Sequence, residues 1–371
     1  MSYKILIVGG GLAGMSCAIS LAKSGHAVHL VDQDRDWRAY GAGITIQAPT
    51  FRALRKLGLL GPVMESSFPG RGTRVRLADG TCINEVVEDD PEPGLPASGG
   101  ILRPVLHVLL AEEVRRQGVN VRLGLTAQKF EEVAGGVQVA FTDGSADRFD
   151  LMVGADGIYS ATRQALFPQA PRPRFTGQGA FRVIAPRPPD LDMIEVYLGN
   201  PIKAGVTPIS QDHLYMFTLT PEPRDEHLSG ARGIARLREA LQGFGGLVGA
   251  IRDQMGEHSQ LVYRPLESIF LQRPWHRGRI MLIGDAVHAT PPQLASGAGS
   301  AFEDGILLAE YLSVTPAIEE AFRAFTERRF DRCRHVVESS VRLGEMELAG
   351  ASPQEQGAVY AQALARLAEP A

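Results

Sequence analysis

The sequence predicts an α/β fold in which a parallel core is assembled from separated pieces of chain, carries an inserted antiparallel sheet and ends in a helical C-terminus. Three observations predict it. The chain opens as apolar strand, glycine turn, helix, second strand and acid; short apolar strands running into Asp-Gly or Gly-Asp turns recur at 151–153 and 279–283; and the stretch between about residues 176 and 271 alternates β-branched and aromatic positions between Pro-rich turns. Purely apolar runs suit strands buried on both faces, whereas alternation suits a sheet with one face covered.

Taken in order, residues 4–8 form the first strand, a helix over 15–24 follows the glycine turn, and a strand over 27–31 ends in Asp32, completing a βαβ opening. The apolar spacing over 49–60 is helical, with Gly61-Pro62 ending it. Residues 88–100 are rich in proline, glycine and acid and read as an exposed loop between strands. A helix over 105–117 and alternating strands to about residue 150 precede the apolar strand at 151–153. Strands over 181–185, 195–198 and 214–219 belong to the inserted sheet, the natural substrate platform. A parallel-type strand returns at 279–283, and from Ala298 the chain is mainly helical. The core domain therefore takes residues 1–70, 98–175 and 272–330, the sheet domain 71–97 and 176–271, and a C-terminal helical segment 331–371.

Composition bounds the partners. With 371 residues, 44% hydrophobic and 22% charged, the chain is long enough for two domains of ordinary globular type. A net charge of −4 leaves no electrostatic footprint for nucleic acid or an anionic membrane, so small molecules are the expected partners and a monomer or homodimer the expected state. Cys17, Cys82 and Cys333 stand alone, outside any metal-ligand spacing, so no metal is expected and the usage suits a reduced cytoplasm. Met1-Ser2-Tyr3-Lys4 runs straight into the first strand without a leader pattern, and no apolar run approaches the roughly 20 residues that span a bilayer. A cytoplasmic protein is the expectation.

The glycine turn, Gly9-Gly10-Gly11-Leu12-Ala13-Gly14, matches GxGxxG between strand and helix. Its first glycine permits a tight turn, the second lets backbone approach a pyrophosphate, and the third lets helix and strand pack closely; the helix N-terminus adds free N–H groups and partial positive charge. Asp32, with Gln33 beside it, stands at the end of the second strand, where an acid accepts from ribose hydroxyls. The motif alone serves NAD or FAD equally. Gly243-Phe244-Gly245-Gly246 is a decoy lacking the preceding strand.

Two further segments separate the alternatives. Asp156-Gly157-Ile158-Tyr159-Ser160-Ala161-Thr162-Arg163 and Gly284-Asp285-Ala286-Val287-His288-Ala289-Thr290-Pro291-Pro292 each follow a strand. Together with the glycine turn, and in this order, they resemble the flavoprotein aromatic hydroxylases of the para-hydroxybenzoate hydroxylase type, over nearly the whole chain. The resemblance implies a glutathione-reductase-like FAD-binding Rossmann domain with a β-sheet substrate domain, tightly bound FAD, and NAD(P)H as a transient co-substrate. It implies hydride transfer to FAD, O2 addition to give a C4a-hydroperoxyflavin, and hydroxylation of a small aromatic or N-heteroaromatic ring.

The same resemblance assigns residues. Asp285 would accept from the ribityl chain, Gly297-Ala298-Gly299 would open a helix aimed at the flavin pyrimidine edge, and Arg103 would lie near the ribityl and pyrophosphate. Ala127 would touch adenine through its backbone, and the loop containing Gly43 would line the flavin's movable position. Ala295-Ser296-Gly297 departs from the family's usual Gly-Gln-Gly loop. Asp156 carries two readings, a dinucleotide contact or a turn cap paired with Arg163. Pro292 would present a backbone carbonyl to the reacting oxygen, and no protein general base is assigned. Lys203 and Tyr215, with Arg182 as the substitute, are the candidate substrate contacts. His288 reads better as a hydrogen-bonded structural histidine than as a base, and the basic run Arg328, Arg329, Arg332 and Arg334 as a solvated helix face. Rival readings are an epoxidase or reductase of the same fold and, from another class, a flavin-free NAD(P)-dependent dehydrogenase.

Overall fold

The computed structural model describes residues 2–39, 41–224, 226, 228–369 and 371. The predicted opening is present: β1 (Lys4–Val8) turns at Gly9 into α1 (Leu12–Lys23) and returns as β2 (Ala27–Asp32). β3 (Gly43–Gln47) then leads into α2 (Ala48–Leu57), α3 (Leu60–Ser66) and β4 (Ser67–Gly70). The single helix expected over 49–60 is thus two. Gly58 adopts a left-handed φ of 78° and caps α2, while Gly61-Pro62 falls in the first turn of α3, where proline's missing N–H costs nothing.

β5 (Gly72–Leu77), β6 (Cys82–Val87) and β7 (Ser98–Leu102) follow. The exposed loop expected over 88–100 is corrected here. Leu95, Ser98, Gly99 and Gly100 are buried, because the end of that stretch is β7, the central strand between β3 and β4. The chain continues through α4 (Arg103–Arg116), β8 (Asn120–Leu123), β9 (Ala127–Val133), β10 (Gly136–Phe141), β11 (Ala146–Phe149), β12 (Leu151–Gly154) and α5 (Ala161–Leu166). The second domain adds β13 (Arg174–Pro186), β14 (Ile194–Leu198), β15 (Lys203–Pro208), β16 (His213–Pro221), α6 (Gly230–Ala240), α7 (Gly246–Gln254) and β17 (Leu261–Ser268). β18 (His276–Arg277), β19 (Ile280–Leu282), α8 (Asp285–His288), a 3₁₀ turn at Pro292–Leu294, α9 (Gly297–Val314), α10 (Ile318–Leu348) and α11 (Pro353–Ala368) complete it.

The core sheet has the order β18-β19-β12-β1-β2-β8 and is parallel except at the β18–β19 edge. β1, β12 and β19 come from distant stretches of chain, as the apolar strands at 151–153 and 279–283 predicted. The second sheet, β17-β13-β16-β15-β14-β5-β6, is antiparallel except where β14 meets β5, a strand from the early insertion. β13 begins at Arg174, so the boundary expected at 175/176 lies within it, and α10 runs unbroken through residue 331, burying Phe330 and Cys333 in the core of the first domain. A separate core built on Phe181, Tyr197, Met216 and Leu237 fills the second domain.

α1 and α9 cross at backbone contact. A Cβ added at Gly305 would lie 2.3 Å from the Cys17 nitrogen and from Ser16 Oγ, and Ser16 Oγ donates to the Ala301 carbonyl at 3.2 Å.

Candidate cofactor and active site

The three motifs converge. Gly9 has φ 106° and donates its N–H to the Val31 carbonyl at 2.8 Å; a Cβ there would lie 2.3 Å from the Ala155 carbonyl oxygen, which brings the second motif against the first. A Cβ at Gly284 would meet the Ala13 methyl at 2.6 Å, which brings in the third. Arg163, buried, ties the second to the third by donating to the Ala286 carbonyl at 2.8 Å.

Each glycine of the turn has a different task. A Cβ at Gly14 would stand 1.9 Å from the Gly9 carbonyl oxygen, a packing demand, whereas a Cβ at Gly11 would meet nothing within 4 Å. Gly11 precedes Leu12 at the start of α1, which has no side-chain cap. Its N-terminal N–H groups are therefore left for a ligand. Asp32 accepts from Gly10 N–H at 2.6 Å and from Asp34 N–H at 2.8 Å, holding the turn while remaining half-buried. Gln33 beside it is exposed. Leu125 N–H donates to the Asp32 carbonyl at 3.1 Å and so brings the segment leading to Ala127 to the end of β2.

Trp37 escaped the sequence reading. Its Nε1–H donates to the Gly10 carbonyl at 2.9 Å, its φ is 47°, and Arg115 lies 4.9 Å over its ring. One of only two tryptophans, placed in the polar loop after β2, was the available signal.

Asp156 takes the cap reading. Its carboxylate accepts from Ser160 Oγ, Thr162 N–H and Thr162 Oγ1, while Ser160 caps α5. Arg163 does not pair with it directly but donates to Ile158 and Ala286 carbonyls.

Asp285 differs. It keeps an open surface yet is enclosed by protein, and among the described residues its carboxylate has no hydrogen-bond partner. Enclosure raises its pKa, against the pull of His288 and Arg103. An exposed carboxylate without a protein partner is free to accept from the hydroxyl donors of a ligand. Its turn is fixed from behind: Asp304 of α9 accepts from Gly284 N–H at 2.8 Å, contacts His288 Nε2 at 2.7 Å and accepts from Arg329 Nε at 2.8 Å. Burial works against the Asp304 charge, but His288 and Arg329 hold the carboxyl at about 2. Burial likewise pulls His288 down, while Cys333 and Asp304 raise it well above the ordinary imidazole value.

The basic run on α10 is therefore not wholly a solvated face. Arg329 is 0% exposed and Arg332 is paired with Glu303 at 2.9 Å, both turned toward α9. Helical spacing alone did not show that two of these arginines had buried carboxylates to meet.

The start of α9 lies beside the same cleft. Gly299 is pressed against Thr50, with a Cβ there 2.6 Å from Thr50 Oγ1, and Gly297 stands near Thr290. Ala298 follows in the first turn, half-buried. Pro292 opens the 3₁₀ turn, and Ala295, in the place where the family's glycine loop differs, adopts a φ of 49°, a left-handed position that costs a non-glycine residue about 1 kcal/mol. Arg103, at the start of α4, has no side-chain hydrogen bond or ion pair among the described residues; it lies close enough to Asp285 and to Arg182 to act on both.

On the sheet side, Tyr215 donates to or accepts from Thr45 Oγ1 at 2.6 Å, and its ring covers Gly43, where a Cβ would lie 2.1 Å from Tyr215 Cδ1. Arg182, on the neighbouring strand β13, is enclosed, and this burial lowers its pKa, with Tyr215 opposing and Arg103 and Arg264 reinforcing the fall. It has no carboxylate partner among the described residues. Lys203 instead is spoken for: its Nζ meets Glu347 Oε1 of α10 at 3.1 Å, and Glu347 also accepts from Gln178 and Gln293. The structure thus brings Arg182, Tyr215 and Arg103 together and engages Lys203 elsewhere. A depression of about 530 Å³ between α6 and α7, lined by Ile234, Arg238 and Gly256, shares no residue with the motifs.

These features fit FAD. The open space at Gly11 and the uncapped start of α1 suit a pyrophosphate, and the unpartnered Asp285 carboxylate suits a polyhydroxyl chain, a group that a second nicotinamide-only reading leaves without purpose. Fold and site define a flavoprotein oxidoreductase. A family model described as an FAD binding domain matches residues 2–340, and the chain belongs to that family. It is 32% identical over 361 residues to YetM of Bacillus subtilis, named provisionally as an FAD-dependent monooxygenase, covering 96% of this chain and 98% of that one. It is 32% identical over 346 residues to the 3-amino-4-hydroxybenzoate 2-monooxygenase PtmB3 of Streptomyces platensis, covering 90% and 85%. The crystal structure of Klebsiella pneumoniae HpxO complexed with FAD and uric acid shares the fold, with a TM-score of 0.83, 23% identity and coverage of 99% and 93%. The protein is accordingly an FAD-dependent monooxygenase. Among the described residues no helix is long and apolar enough to cross a membrane.

Proposed function

We propose that the protein hydroxylates a small, anionic aromatic or N-heteroaromatic compound, with NAD(P)H and O2 as co-substrates. The observation that carries this reading is Arg182: an enclosed guanidinium without a carboxylate of its own, beside Tyr215 and within electrostatic reach of Arg103. A half-buried arginine without a carboxylate of its own is completed by something bidentate and negative. A ring carboxylate or oxyanion does so.

Gly9, Gly11, Leu12, Ala13 and Gly14 would take the pyrophosphate, Asp32, Gln33 and Ala127 the adenosine end, and Asp285, Arg103, Gly43 and the α9 start at Gly297-Ala298-Gly299 the flavin end. Asp156 supports this cradle as a cap. FAD, when bound, supplies the hydride acceptance and oxygen activation that no side chain can. The chain's own residues orient and shield. Arg182 fixes the ring, Tyr215 with Thr45 offers a hydroxyl pair to a ring substituent, and Pro292 opens a rigid turn whose carbonyl accepts from Ala295 N–H at 2.9 Å. Lys203 joins the substrate only by exchanging Glu347 for it.

The names of the relatives support the substrate class. Besides PtmB3, a 2-heptyl-3-hydroxy-4(1H)-quinolone synthase of Pseudomonas aeruginosa is 30% identical over 353 residues, and each of these names carries an oxygenated ring. Membership of an FAD family removes the flavin-free dehydrogenase. The epoxidase or reductase reading lacks an observation of its own, since an apolar substrate leaves Arg182 unpaired.

The decisive experiment records NAD(P)H consumption by the yellow protein against phenols, hydroxybenzoates and hydroxypyridines. Stimulation by one of them, with a product one oxygen heavier, is expected; consumption that no ring compound stimulates overturns the proposal. Arg182→Met is expected to raise KM for a carboxylate-bearing substrate about 10- to 100-fold, the worth of a charge-assisted hydrogen bond. Equal KM values in the two proteins would remove Arg182 from the substrate site.

A further inference from the structure

The C-terminal helix brings a phenol toward the same cleft. Tyr360 lies on α11, beyond the stretch matched by the family model. That helix is firmly placed. Ser352 and Glu355 form a reciprocal capping box at its start, Ala363 and Leu367 pack with Leu294 of the 3₁₀ turn, and Arg332 donates to the Leu367 carbonyl at 3.0 Å. Tyr360 packs on the same cluster, beside the turn that Pro292 opens.

Its hydroxyl accepts from Gln47 Nε2 at 3.3 Å. Gln47 and Thr45 are two residues apart on β3 and so share a face. Thr45 meets Tyr215 on that face, and Gln47 meets Tyr360. A phenol oxygen accepts, but its proton must also be given. Among the described residues, no acceptor takes the Tyr360 proton. Burial raises its pKa, the Gln47 contact opposes and nearby Glu88 adds to the rise, so the group keeps its proton at neutral pH. Tyr360 is half-buried, so part of its ring stays open beside Gln47.

We infer that Tyr360 is a substrate-contacting residue whose O–H donates to an oxygen substituent of the ring, at a position separate from the anionic group held by Arg182. This rests on the function proposed above and narrows it: the preferred ligand carries two polar groups, an anion for Arg182 and a hydroxyl or carbonyl oxygen for Tyr360. Simple phenols satisfy only one of the two.

The test uses the FAD-loaded full chain and reads ligand binding by perturbation of the visible flavin spectrum. The probes are hydroxybenzoates, hydroxypyridine carboxylates and hydroxyquinoline carboxylates, each paired with its deoxy analogue. Tyr360→Phe keeps the ring in its packing and removes only the hydroxyl. The expected result is about five- to tenfold weaker binding of the best oxygenated ligand with unchanged binding of its deoxy partner, alongside parental FAD affinity and melting temperature. A variant that binds both as the parent does, or loses both equally, overturns the assignment of Tyr360 alone. A parent whose spectrum responds to no aromatic ligand overturns the proposed function, and this inference with it.

Discussion

A Gly11→Asp protein is expected to be soluble, folded and colourless. The position is open in the fold, since a Cβ there meets nothing within 4 Å, and Gly11 is the residue preceding α1 in an extended conformation with no side-chain cap. Aspartate is a favoured residue at such a site and should stabilise the apoprotein by about 0.3 kcal/mol over glycine. The same carboxylate would stand where the pyrophosphate is proposed to bind. Like charges 4 Å apart near a protein surface repel by about 4 kcal/mol, roughly a thousandfold in affinity. Titration of the apoprotein with FAD, followed by flavin fluorescence, measures the loss, and thermal melting measures the gain. Retention of parental FAD affinity would falsify the placement of the pyrophosphate. Gly14→Ala makes the contrast: its methyl would collide with the Gly9 carbonyl, so the fold itself should suffer.

Asp304→Ala should be the most destabilising single change in the first domain. It strips a fully buried carboxylate from Arg329, which is itself 0% exposed, from His288 and from the Gly284 N–H. Breaking such a network by removing one partner costs about 3–5 kcal/mol. FAD affinity should fall as well, because the Gly284 turn that presents Asp285 loses its tether. The pH dependence has a definite sign. His288 has a raised pKa in the fold, so its contribution is complete below the ordinary imidazole value and is lost as pH rises through the elevated one. Asp304, held at about 2, contributes above the ordinary carboxylate range and loses that contribution as pH falls toward about 2. The parent should therefore weaken on the far alkaline and the acid sides, and Asp304→Ala should flatten both limbs. Denaturant unfolding over the pH range checks this; a variant with the parent's midpoint and the parent's pH profile contradicts the network.

Much of this was legible in the sequence because the cofactor cradle is built by backbone. A Cβ at Gly9, Gly14 or Gly284 would lie 1.9–2.6 Å from neighbouring atoms, so these positions admit no side chain, and the local pattern around them, strand then tight turn then helix, is written in a few adjacent residues. The substrate side was less legible because it is built by side chains meeting across great sequence distance. Lys203 looked free on its strand, but its partner Glu347 lies on a helix 144 positions later, and no local spacing reveals that. Arg329 and Arg332 read as surface for the same reason. The burial of residues 98–100 was hidden by glycine and proline content, which signals turns whether or not a strand follows. Arg182 and Tyr215, by contrast, were placed on strands of one sheet from the sequence, and the observed register puts them on one face of neighbouring strands.

The crossing of α1 and α9 has a consequence for how far apart the ring and the phosphates of the flavin would sit. On the function proposed above, the first turn of one helix would serve the phosphate end of the ligand and that of the other the ring end, and the two are locked by Gly305 resting on Ser16 and Cys17. The interval between those two helix starts is set by the polypeptide and would fix the span from ring to phosphate, which a mononucleotide and a dinucleotide flavin share, so only the adenosine end beside Asp32 can tell the two apart. A methyl group introduced at residue 305 would pry that interval open, and the resulting protein should lose affinity for both flavins alike.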